Sequence, residues 1–164
     1  MLFTIRDRQL IPAPLHRVFA LSTSVPVVQR TLGFQPVAGV TTGHVEANSQ
    51  VLWRGWLFGL PQFHLTLITD FAAPHTDSRG NHVAYFQDTQ ARGRFAFFQH
   101  GHHMLADGSD RTLLQDEIRF ALPFGIAGDL VARVIMLPYI RKTLRSRMNL
   151  LSRLATTHEG DPYL

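Results

Sequence analysis

Residues 88 to 125, DTQARGRFAFFQHGHHMLADGSDRTLLQDEIRFALPFG, restrict the fold more than any other stretch of the chain. They read as three strands joined by turns at Arg92-Gly93 and around Gly108, with apolar and polar side chains alternating. Connections this short force neighbouring strands to run antiparallel, because a parallel crossover needs a dozen or more residues. The pattern extends back to Val37. Gly and Pro punctuate strands near 37–46, 50–58, 62–71, 82–91, 94–105 and 111–122. A weaker alternation over 2–11 adds a seventh strand.

After Pro123-Phe124-Gly125 the apolar spacing changes to three- and four-residue steps. Leu130, Val134, Leu137, Leu144, Met148, Leu151 and Ala155 share one stripe, interrupted by Arg141, and predict a long C-terminal helix. Pro138 should kink it or end its first segment, since proline removes a backbone donor. Two short helices are expected after the first strand, over 14–22 and 25–32. Ser24 would cap the second and Gly33 would close it.

At 164 residues the chain fits a single domain over 1–157, followed by a polar tail, 158–164, that should fray. A domain of this size can bury a core and enclose a cavity as well. Cysteine is absent, which excludes disulfides and thiolate metal sites and favours a cytoplasmic location. Charges at Arg6, Asp7 and Arg8 break the early apolar stretch and argue against a signal peptide. All of the 16 basic residues except Lys142 are arginine, spread along the chain, and the net charge is +4. Without a cluster interleaved with stacking aromatics, this argues against nucleic-acid binding.

Pairing the strands by their turns puts Asp88, Gln90, His100, His102 and Asp116 on one face with Phe86, Phe98, Ile118 and Phe120. Counting back from Gly108 sets His100 opposite Asp116 and His102 opposite Leu114. A two-residue shift would change partners but keep the face; a one-residue slip would not. Polar groups on the helix-facing side must be paired to be tolerated. Four readings are open: a satisfied polar network in a core, ligand recognition in an apolar pocket, a metal site built on His100-x-His102 with an Asp116 oxygen, or acid–base chemistry by His100 and Asp116. The last lacks an accompanying nucleophile or oxyanion feature.

At these residues the chain resembles the SRPBCC, or START-like, superfamily, and within it bacterial proteins of the polyketide cyclase/dehydrase and coenzyme-Q-binding type. The run Phe86, Asp88, Gln90, Gly93, Phe98, His100, His102, followed by Asp116, Ile118, Phe120, Leu122, Pro123, Phe124 and Gly125, is similar to a run common in those proteins. Trp53, Gly59 and Pro61 fit an earlier element. Arg94, Phe98 and Met104 depart from it, standing where proline, tryptophan and phenylalanine are usual. The resemblance implies an α+β helix-grip fold, a seven-stranded antiparallel curved sheet wrapped around the long C-terminal helix. It also implies a hydrophobic cavity between the two.

The reading that follows is a binder or carrier of a hydrophobic small molecule such as a lipid, quinone or polyketide-like compound. Trp53, Phe86, Phe98, Ile118 and Phe120 would form apolar wall. Asp88, Gln90, His100, His102 and Asp116 would orient a polar group, and Tyr139 or Leu144 would close the pocket from the helix. The alternative is an aromatase/cyclase- or dehydratase-like enzyme using His100 and Asp116. Neither a cofactor nor a metal is expected. Membrane contact would be transient at most. Phe63, Leu65, Leu67, Phe95 and Phe97 have the opposite parity, and an apolar outer sheet face there would suit homodimer formation.

Overall fold

The computed structural model describes residues 1–164. Strand β1 (Phe3–Ile11) leads into helices α1 (Leu15–Thr23) and α2 (Val25–Leu32). Six strands follow: β2 (Gln35–Gly39), β3 (Gln50–Leu57), β4 (Leu60–Thr76), β5 (His82–Arg92), β6 (Phe97–Ala106) and β7 (Thr112–Ala121). They form one antiparallel sheet in the order β1-β7-β6-β5-β4-β3-β2, a meander whose first strand closes beside the last. The C-terminal helix runs through α3 (Gly125–Val131), a π-helical turn over Ala132–Met136, and α4 (Leu137–Thr156). The architecture is the expected helix-grip.

Local features set where the strands end and bend. The strand expected over 37–46 ends at Gly39, because the following segment leaves the sheet to meet the junction of α1 and α2. There Val25 N–H donates to Gly43 O at 2.8 Å and Val45 N–H to Thr23 O at 3.0 Å. Ser24 holds the N-cap position of α2, but its side chain makes no cap hydrogen bond; the buried backbone pairing supplies the order. The β3–β4 connection is a two-residue turn in which Phe58 and Gly59 both have positive φ, 52° and 74°. This is the turn geometry that matches strand twist. Three irregularities in β4, between Leu65/Thr66, Ile68/Asp70 and Ala72/His75, bend the sheet.

The stripe expected on the long helix holds from Leu137 onward and fails at Leu130 and Val134. Leu130 and Val134 are exposed, and the buried ladder is Gly128, Ala132, Met136, Ile140, Leu144 and Met148. Four-residue steps drift around a regular α-helix by roughly 40° each. The wider π turn takes up part of that drift and keeps the ladder on the sheet. It also precedes Pro138, which falls in the first turn of α4, where a missing N–H is tolerated. Gly128 must be glycine: a Cβ there would collide with the Pro123 carbonyl oxygen.

The tail does not fray. His158–Tyr163 forms a 3-10 helix pinned by Arg17 to Asp161 at 2.7 Å and Arg30 to Glu159 at 3.0 Å. Arg17 also donates to the Ala155 and Thr157 carbonyls, satisfying acceptors at the end of α4. No helix is long and apolar enough to cross a membrane.

Candidate functional site

The apolar core divides in two. One cluster joins α1, α2 and the end of α4 to the middle of the sheet; the other joins β1 and β7 to Met136, Ile140 and Leu144. Between them lies a cavity of about 190 Å³. Trp53, Phe86, Phe98, Ile118, Tyr139 and Leu144 line it as expected from the sequence, and Asp88, His100 and His102 supply its polar floor.

Three other candidates lie elsewhere. Gln90 turns away to hold the β5–β6 turn, donating from Nε2 to Phe95 O at 2.9 Å. Phe120 is wholly buried, with its ring 5.5 Å from that of Phe3. Asp116 sits behind the histidines with no exposed side-chain surface. Phe95, expected on the outer face, lines the cavity, because residues 93–96 form a turn rather than the start of β6.

The register is shifted by two residues from the sequence count, so the face survives but the partners change. His102 stands opposite Asp116, His100 opposite Ile118, and Asp88 opposite His100. The pair to consider is therefore His102–Asp116, not His100–Asp116. His102 Nδ1 lies 3.0 Å from Asp116 Oδ1, and its Nε2 lies 3.0 Å from Asp88 Oδ2. The ring is clamped edge-on between two carboxylates and stacks on Phe86 at 4.1 Å. His100 is less constrained. Its Nε2 approaches Asp116 Oδ2 at 3.3 Å without hydrogen-bond alignment, and its Nδ1 is 3.8 Å from Asp88 Oδ2.

Arg147, from α4, completes the network and was missed in the sequence. Its NH1 donates to Asp116 Oδ2 at 2.6 Å, and the guanidinium is buried. The available signal was its place three residues after Leu144 and four before Leu151, on the buried side of the helix. A second missed residue is His64, which lines the cavity and packs edge-on against Phe98 at 5.4 Å. Burial lowers its pKa, outweighing the Asp88 charge.

Burial by itself would raise both carboxyls. For Asp116 the charges of Arg147, His102 and His100 overcome it and hold the group well below the ordinary carboxylate range. For Asp88 the His102 hydrogen bond and the imidazole charges outweigh burial and lower the pKa. The His100 pKa is lowered, by burial first and by the His102 charge second, against the pull of the two carboxylates. The floor thus holds two ionised carboxylates against one permanent cation.

No family model and no curated protein matches the sequence. Solved structures do match. The START-like helix-grip is the fold of this chain. A protein designated TTHA0849 from Thermus thermophilus is 17% identical with a TM-score of 0.67, over 92% of this chain and 95% of that one. The Zhui aromatase/cyclase from Streptomyces sp. R1128 is 11% identical with a TM-score of 0.68, over 94% of each chain. A START superfamily protein from Mycobacterium smegmatis is 13% identical with a TM-score of 0.58, over 90% and 98%. At these identities the likeness is one of fold, and function has to come from the site.

Proposed function

We propose that the protein binds or carries a compact hydrophobic small molecule, held between sheet and helix, with its polar end on Asp88, His100 and His102. The observation that carries this reading is a cavity with mainly apolar walls and a few convergent polar groups at one place in its floor. At about 190 Å³ it is smaller than the pockets of roughly 300–1,000 Å³ that serve drug-sized ligands. This favours a compact ring system or one inserted chain over a bulky polycycle. Native mass spectrometry of protein purified from its host, followed by extraction, tests the idea. A recurrent bound small molecule is expected; an empty protein that also fails to take up apolar probes would refute it.

The surface around the cavity supports a transient membrane contact during loading. Trp56, Phe58 and Leu60 at the β3–β4 hairpin are 71%, 60% and 54% exposed, and Phe58 packs on Tyr139, a cavity residue, at 5.3 Å. Self-association through the outer sheet face has weaker support. Of the residues expected to build it, Phe63 is exposed, Leu65, Leu67 and Phe97 are half-buried, and Phe95 points inward. Thr69, Gln87 and Thr89 add a polar network to that face.

The enzymatic alternative, a cyclase- or dehydratase-like activity, would now rest on His102 backed by Asp116, because this is the imidazole with the carboxylate hydrogen bond. It requires a reacting group within hydrogen-bond reach of Nε2, a position Asp88 occupies.

A further inference from the structure

We propose that Asp88, His100 and His102 form a binding site for one divalent first-row transition metal ion of the zinc type at the cavity floor. The inference does not depend on the cavity carrying an apolar ligand. No metal is expected from the sequence, where a site on His100-x-His102 would take its oxygen from Asp116. The structure puts Asp88 in that third place and gives Asp116 a different task.

One donor atom from each of Asp88, His100 and His102 lies within 4.8 Å of the other two. Ligand atoms about 2.1 Å from one zinc ion stand roughly 3.0–3.4 Å apart. His102 Nε2 and Asp88 Oδ2, 3.0 Å apart, already meet that spacing. His100 Nδ1, 3.8 Å from the same oxygen, needs a small inward swing of its ring. No aligned hydrogen bond at Nε2 fixes the ring in its present orientation.

Asp116 lies behind both rings. It is 3.0 Å from His102 Nδ1 and 3.3 Å from His100 Nε2, on the edges away from Asp88. Metal-bound imidazoles commonly have a carboxylate at the second nitrogen, fixing tautomer and orientation. Arg147 in turn holds Asp116 at 2.6 Å and neutralises it. The charge of Asp88 is left for a cation at the floor. With nitrogen and oxygen donors and no thiolate, the set suits borderline divalent ions. Three protein ligands leave a position open toward the cavity.

The competing arrangement is an imidazolium at His102 donating to both carboxylates. That arrangement gives neither nitrogen of His100 an aligned protein hydrogen bond, whereas a metal uses Nδ1.

The test is titration of the chelator-stripped full-length protein with cobalt(II), followed by visible absorption, with zinc as competitor. Wild type should saturate at one ion per chain, release cobalt to zinc, and melt at a higher temperature with zinc bound. Asp88→Asn should weaken cobalt binding at least about tenfold. The exposed His16→Gln should leave it unchanged. The Asp88 side chain is only partly buried, at 17% exposed, so the variant should fold; melting of the metal-free form checks this. Should Asp88→Asn not fold, His100→Gln decides by the same reading. No saturable absorption in wild type overturns the proposal. So does an affinity unaffected by the floor substitutions, or nuclear magnetic resonance showing His102 protonated at both nitrogens in zinc-saturated protein.

Discussion

The two halves of the C-terminal helix carry similar side chains and use them in opposite ways. In α4, Leu144, Met148, Leu151 and Leu154 are almost fully buried against α1, α2 and the sheet. In α3 and the π turn, Ile126, Leu130 and Val134 are 89%, 62% and 65% exposed. The difference follows from what lies beneath each half. The C-terminal half packs on α1, α2 and the sheet and roofs the cavity from Tyr139 to Arg147, whereas the N-terminal half buries only Gly128, Ala132 and Met136, and of these Met136 alone lines the cavity. Arg147 lies on the α4 side of the contrast, where the helix reaches the ionised floor. One half both packs the core and closes the pocket, and the other leaves its apolar side chains free.

The sharpest way to break this contrast is to unbalance the floor. Arg147→Met should cost about 3–5 kcal/mol, because it strands a buried carboxylate. Adding Asp116→Asn should return much of the loss. Chemical denaturation checks both, and a cost under about 1 kcal/mol for the single variant would show that Asp116 finds water instead. Next in size is Leu151→Ala, which should cost about 2–5 kcal/mol through cavity formation in the tightly packed half. Val134→Ser, the matching change in the exposed half, should stay within about 0.5 kcal/mol. Equal costs at Leu151 and Val134 would mean that the N-terminal half is covered in solution.

The difference between the halves also marks where the sequence is legible. Strand count, the meander from β2 to β7 and the polar face follow from side-chain alternation and short turns, and these survive a register error of an even number of residues; the place of β1 beside β7 does not follow from any turn. For that reason Asp88, His100, His102 and Asp116 are found together although His100 was matched with the wrong partner. Turn residues do not fix how far a hairpin runs before it closes; here β6 and β7 pair two residues out of step with the count from Gly108. The helical stripe fails before Pro138 because a π turn changes the angular step, and no residue pattern announces it. Arg147 carries a charge of the kind usual on a solvated helix face, yet its neighbours in the 3.6 period are the buried Leu144 and Leu151. Gln90 shows the converse: it has the right parity, but its side chain bonds the adjacent turn instead of facing the cavity.

The central claim is that an apolar ligand enters between sheet and helix and rests above this floor. The chain has two tryptophans, Trp53 in the cavity wall and Trp56 on the exposed hairpin. In a Trp56→Phe variant, the remaining indole reports the cavity alone. Titration with a fluorescent apolar probe should quench Trp53 emission saturably, and filling the cavity by Thr66→Phe should abolish the effect. Unchanged Trp53 emission while the probe still binds would place the apolar site outside the cavity and contradict the account.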